Sequence, residues 1–179
     1  MPDWTMEEVM GFLAPHIDDL DQIPRLAHAK FRTYPPEVLP ELDSRAQAAC
    51  IYAHMVAEAD RRFLNKSAIV SKEINGLKVW LIDDKAVLRL KKMDEDGQSR
   101  NYPTKQAMDY DKGLDLPGLP PEAARVSAGY LLNPTQTEIV RVQIARPQGV
   151  KRVLWNVVIV PATESRQRWV EVTRQKGIF

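Results

Sequence analysis

Asn75-Gly76 stands between two β-prone runs, residues 68–74 and 77–82, and this pair constrains the fold more than any other feature of the chain. A type I′ turn needs positive φ at both central residues, and asparagine followed by glycine meets that need at the least steric cost. The two runs therefore pair as an antiparallel hairpin. Asp83-Asp84-Lys85 gives a second short connection into residues 86–93, which makes a three-stranded meander. Because successive side chains alternate across a pleated strand, Leu77, Val79 and Leu81 share one face of the second run, and Lys78, Trp80 and Ile82 share the other. In the third run Val87, Arg89 and Lys91 lie on one face, with Leu88, Leu90 and Lys92 opposite.

Three further runs, 125–132, 137–145 and 152–160, carry β-branched and aromatic residues. They are separated by the turns Asn133-Pro134-Thr135-Gln136 and Pro147-Gln148-Gly149, so a second meander is expected, with a last short strand at 169–173. Gly129 inside its strand marks a bulge or bend. Residues 106–123, rich in Gly and Pro, read as a long loop.

The first third is helical. Thr5-Met6-Glu7-Glu8 is a capping box opening a helix to about Ala14, closed by Pro15. Residues 18–21 read as a polar link, and Ile23-Pro24 starts a second helix. Thr33-Tyr34-Pro35-Pro36 makes a corner. Asp43 or Ser44 caps the longest helix, to about Leu64, whose stripe of Ala46, Ala49, Cys50, Ala53, Val56, Ala57 and Phe63 is expected to face the sheet. Gln47, His54, Glu58, Arg61 and Asn65 fall opposite. There His54 and Glu58 make either an acid–base pair or an ordinary surface pair.

The expected architecture is α+β: an N-terminal helical layer packed on a mainly antiparallel, curved sheet of five to seven strands built from two meanders. The chain, 1–179, reads as a single domain with a helical layer (1–65), a sheet portion (66–173) and a tail (174–179).

The run from Leu88 to Gln106, with Pro117-Gly118-Leu119-Pro120 and the segment 141–147 (Arg-Val-Gln-Ile-Ala-Arg-Pro), resembles a proteobacterial and phage-related family encoded beside Xre-type helix-turn-helix proteins that carry an ImmA/IrrE-like domain. The resemblance spans the chain from about Phe31. It implies a toxin–antitoxin or phage-related setting, with a neighbouring antitoxin or regulator, or a host protein, as partner. It brings no catalytic residues.

One cysteine, Cys50, excludes an internal disulfide framework, and neither a signal peptide nor an apolar run of spanning length occurs, so a bacterial cytoplasm is the expected compartment and no membrane partner is expected. Net charge is +1 but unevenly placed. Residues 1–65 hold 6 Lys/Arg against 11 Asp/Glu, and residues 141–179 hold 8 against 2. A basic end invites phosphate or an acidic partner, unless the acidic helices compensate it internally.

No Walker loop, dinucleotide-binding glycine motif, nucleophile elbow or His-Glu-x-x-His occurs. The three histidines are scattered, and no cofactor or metal is expected. Asp83 or Asp84 could take the first acidic position of a nuclease sheet, but Arg89 stands where the matching carboxylate belongs. Asp94-Glu95-Asp96 is either an oxygen-rich ion site or a solvated turn. Arg89, Lys91, Arg100, Tyr102 and Lys105 are the candidates for a metal-independent phosphate site, since alternate strand positions share a face and the following loop can fold over it. The tail, Gln175-Lys176-Gly177-Ile178-Phe179, resembles the bacterial sliding-clamp-binding pentapeptide, with Gln175, Ile178 and Phe179 as the partner-binding residues and Lys176 departing from its usual leucine. Two classes of function remain open: a toxin-like protein that docks on a host protein or antitoxin, or a small nucleic-acid-binding or ribonuclease effector acting through a basic sheet face.

Overall fold

The structure, a computed structural model, describes residues 3–99, 104–149 and 151–172. Helix α1 (Met6–Leu13) opens on the expected capping box: the Thr5 hydroxyl accepts from the Glu8 amide at 3.2 Å, and the Glu8 carboxylate accepts from the Thr5 amide at 2.9 Å. After a 3₁₀ turn, α2 (Ile17–Arg32) runs unbroken through residues 18–21 and through Pro24. The expected polar link is thus a first helical turn. Asp18 and Asp19 sit where unpaired amides and the helix dipole favour acids. The amide that Pro24 lacks is outweighed by a continuous buried face of Ile17, Leu20, Ile23, Ala27 and Phe31.

Helix α3 (Ser44–Phe63) is capped by Asp43, whose carboxylate accepts from the Ala46 amide at 2.7 Å. It buries Ile51, Met55, Glu58, Ala59 and Phe63, while Ala49, Ala53 and Ala57 face solvent. The expected stripe is therefore rotated. Isoleucine, methionine and phenylalanine remove more apolar area from water than alanines do, so they set which face turns inward.

Among the described residues seven strands follow, in sequence order across one sheet: β1 (Ile69–Ile74), β2 (Leu77–Ile82), β3 (Ala86–Lys92), β4 (Ala124–Leu132), β5 (Ile139–Pro147), β6 (Val153–Ile159) and β7 (Trp169–Glu171). Asn75 and Gly76 have φ of 49° and 81°, as the hairpin requires, and Asp83 and Asp84 repeat the device at 49° and 56°. The pairs are antiparallel except β3–β4, which is parallel, with Leu88 opposite Val126 and Lys91 opposite Gly129. A parallel pair needs a crossover. The segment read as a loop supplies it through α4 (Lys105–Asp111), capped by Thr104 and stopped at Gly113, where the amides of Gly113 and Leu114 reach the carbonyls of Tyr110 and Asp109, both at 2.9 Å.

The two sheet faces have different covers. Helices α1–α3 pack on the face carrying Trp80, Ile82, Leu88, Leu90, Val126, Tyr130, Ile144 and Val157. The crossover packs Tyr110, Leu116 and Leu119 on Leu77, Val79, Leu81 and Val87 of the second face. Farther across that face the turn after β3 lies over β5 and β6, with Gln143 Nε2 donating to the Asp94 carbonyl at 2.7 Å and Asn156 Nδ2 donating to Gln143 Oε1 at 3.1 Å. The basic final third is compensated only in part. Arg168 pairs with Asp18 across the layers, but Asp19 is engaged by Arg62 at the end of α3 and by Lys66 just past it. No helix among the described residues is long and apolar enough to cross a membrane.

The glycine at the parallel seam is obligatory. A Cβ at Gly129 would stand 1.6 Å from the Lys91 carbonyl oxygen, whereas one at Gly11, on the exposed side of α1, meets nothing within 4 Å. Gly129→Ala is expected to cost about 3 kcal/mol by forcing β3 and β4 apart. Gly11→Ala should add roughly 0.5–1 kcal/mol. Urea denaturation of the two variants against the parent protein checks both signs.

Candidate anion-binding site

Tyr110 is fully buried, and α4 directs it at the β3–β4 seam. Its hydroxyl oxygen lies 2.6 Å from the Val87 carbonyl and 2.7 Å from that of Val126, and accepts from the Val126 amide at 3.1 Å. A phenol has one hydrogen to give, so it donates to one of the two carbonyls at a time. Burial raises its pKa and keeps that hydrogen in place. Two guanidinium groups lie over the same ring, with the central carbons of Arg89 and Arg125 at 4.8 Å and 5.6 Å from its centroid.

The two arginines differ in what else they hold. Arg89 is 3% exposed and pairs with Asp111 at 3.1 Å. Burial raises the Asp111 carboxyl, and Arg89 and Lys91 pull it back down. Lys91, two positions along β3 and half-buried, has its ammonium pushed down to about 8, first by burial and then by the like charge of Arg89, with Asp111 opposing. Arg125 is 4% exposed, and none of its three guanidinium nitrogens has a hydrogen-bond partner. Burial lowers its pKa, against the opposing influence of Tyr110 and Asp115. A buried guanidinium left without acceptors is held at a cost of several kcal/mol unless an acceptor is supplied from outside.

Arg125 also lines a cleft of about 330 Å³ at the end of the sheet where β4 begins and β5 ends. Asp3, Lys112, Arg146, Gln148 and Leu154 share its walls. The Gly149 amide donates to the Asp111 carbonyl at 2.6 Å, tying the β5–β6 turn to the end of α4, and Arg146 donates to the Trp4 carbonyl. Burial lowers the pKa of Arg146, with Asp3 opposing. Past Gly149 the same turn carries Lys151 and Arg152, both exposed.

Of the phosphate-site candidates read from the sequence, Arg89 and Lys91 share the second sheet face, with Arg89 turned inward onto Tyr110 and Asp111. Lys105 is the exposed first residue of α4, at the opposite end of that helix from the cleft. Arg100 and Tyr102 lie outside the described residues, as do Gln175, Ile178 and Phe179. Sequence reasoning missed Tyr110, Asp111, Arg125 and Arg146. Strand parity places Arg125 on the same face of β4 as Ser127 and Gly129, but parity alone does not show what that face meets.

Elsewhere, His54 and Glu58 act apart. The Tyr34 hydroxyl lies 2.9 Å from His54 Nε2, while Glu58 is buried and accepts from Arg62 at 2.7 Å. The Asp94 carboxylate caps its own turn, accepting from the amides of Asp96 and Gln98 at 3.0 Å and 2.9 Å. Among the described residues no three His, Cys, Asp or Glu side chains converge as metal ligands would. No known family model matches the chain, and neither curated proteins nor solved structures provide a match.

Two outcomes follow from the geometry around Tyr110. Tyr110→Phe strands the Val126 amide and removes a donor at the seam, and chemical denaturation is expected to show a loss of roughly 1–3 kcal/mol. For Lys91 the folded state binds fewer protons than the unfolded state between pH about 8 and the ordinary lysine value, so its contribution to stability grows as pH rises from about 8 and is lost as pH falls back to it. The urea midpoint of the parent protein minus that of Lys91→Met should therefore increase from pH 8 to pH 10. A flat difference would show that Lys91 keeps an ordinary pKa.

Proposed function

We propose that this protein is a small nucleic-acid-directed effector that engages phosphates at the basic end of its sheet. The observation that carries this reading is the convergence of cations from three separate segments on one cleft: Lys112 after α4, Arg125 at the start of β4, and Arg146 at the end of β5, with Lys151 and Arg152 in the adjoining turn. Asp3, Asp111 and Asp115 oppose them, and Asp111 is already engaged by Arg89, so the end keeps an excess of positive charge. Such a patch recruits a polyanion by releasing its counterions, and this attraction needs no base-specific contact.

The docking reading of the sequence differs in what it would use, because its tail residues are the only anchors it names. The basic cleft instead supports the second class, with Arg125 of β4 in its wall. The resemblance to a family encoded beside Xre-type regulators fits an effector of this kind held by a neighbouring protein.

Fluorescence anisotropy with a labelled single-stranded oligonucleotide tests the proposal. Affinity is expected to fall steeply between 50 and 200 mM salt, and the double change Lys151→Ala with Arg152→Ala should lower the salt slope by about 1–2 without moving the melting temperature. Absence of binding, or binding indifferent to salt, contradicts it.

A further inference from the structure

We infer that Arg125 is the anchor of a site for a terminal phosphate group, so that the cleft recognises a phosphomonoester end in preference to the internal phosphodiesters of a strand. Three features of the residue point there. Its guanidinium is planar and presents its donors in a fixed fork that matches two oxygens of one phosphate or carboxylate. All three of its nitrogens lack partners although the residue is only 4% exposed, so the fork is already desolvated and its donors are unspent. And the residue forms part of the wall of the cleft, so its closed-off nitrogens lie just behind a surface that an anion can approach.

The surroundings hold that fork still without satisfying it. The Tyr110 ring lies beneath the guanidinium, and Tyr110 is itself locked by its hydroxyl at the β3–β4 seam. Arg89, the other cation over this ring, is taken by Asp111, which leaves that carboxylate engaged elsewhere. Asp115 acts on Arg125 through its charge but makes no hydrogen bond to it. Lys112 and Arg146, which also line the cleft, supply further positive charge, with Asp3 acting on Arg146.

Depth selects the kind of phosphate. A donor this buried is reached only by a group that projects ahead of its carrier. A terminal phosphate offers three unshared oxygens and one bulky substituent. An internal phosphodiester offers two such oxygens and is flanked by a sugar on each side, which keeps it from reaching so deep. A cleft of about 330 Å³ lies at the small end of ligand pockets and suits a phosphate with at most one nucleoside following it.

The identity of the larger ligand as a nucleic acid rests on the function proposed above, whereas the oxyanion anchor does not, and the experiment separates the two. In thermal melts of the full chain at fixed ionic strength, inorganic phosphate should raise the melting temperature of the parent protein and leave Arg125→Met unmoved. In anisotropy, one oligonucleotide sequence is compared carrying a 5′-phosphate, a 3′-phosphate or neither. A terminal phosphate at one end should improve affinity by about tenfold in the parent protein, and the gain should vanish in Arg125→Met while residual binding of the unphosphorylated strand persists. Arg125→Met removes a buried unpaired charge and is expected to melt at or above the parent temperature. Arg125→Lys keeps the charge and loses the fork, and should retain less than half of the phosphate gain, which guards against a variant that fails to fold. Equal affinity for all three strands, or a preference that survives in both variants, overturns the inference. Phosphate stabilisation that depends on Arg125 with no binding of any strand would leave the anchor in place and remove the nucleic-acid reading.

Discussion

The parallel pairing of β3 with β4 is the constraint on which the rest of this structure depends. A hairpin joins antiparallel neighbours with two residues, as at Asn75-Gly76 and at Asp83-Asp84, but a parallel pair obliges the chain to leave one end of the sheet and return to the other. The return path lies across the second sheet face and carries α4. The price of that path is a seam where a helix must be fastened to two strands at once, and the Tyr110 hydroxyl does so through backbone atoms of Val87 and Val126. Gly129 lets the Lys91 backbone close on β4 at the same seam.

Placing an aromatic ring there creates the electrostatic character of the second face. Tyr110 gives Arg89 and Arg125 a surface to lie on, and the helix that bears it delivers Asp111 to Arg89 but nothing to Arg125. Three cations then stand within one short stretch of β3–β4, and Lys91 among them is driven toward its neutral form, first by its burial and then by the like charge of Arg89. Such an imbalance is costly to a fold that gains nothing from it. Hydrophobic replacements of comparable volume are usually tolerated at buried ionic positions. A guanidinium kept dry and unpaired beside an open cleft is consistent with an anion that completes it.

How much of this was legible in the sequence follows from the range of the interactions. The hairpin turns, both helix caps and all seven strands lie close to where local chemistry puts them, because each depends on a few adjacent residues. The α3 stripe went astray because counting apolar positions treats Ala53 and Met55 alike, and packing does not. Pro24 and the acids before it hid a continuous α2, since a buried face spread over four turns outweighs a single missing hydrogen bond. Helix α4 is seven residues long, too short to show a period, although Thr104 and Gly113 bracket it with usable cap and stop signals. Of the site, Arg89 and Lys91 were visible as neighbours on one strand face. Arg125 was not, because its significance lies in the parallel register that brings β4 beside β3 and in the absence of a partner, and neither is written in any local stretch.

If the Arg125 guanidinium is the anchor of an oxyanion site, its donors must respond when phosphate binds. The most direct measurement is a phosphate titration of the full chain labelled with ¹⁵N-arginine, following the side-chain Nε resonance assigned to residue 125 by its disappearance in Arg125→Met. A saturable shift of that resonance is expected, larger than that of Arg89, whose acceptor is already in place. A resonance for residue 125 that stays fixed while phosphate is raised would contradict it.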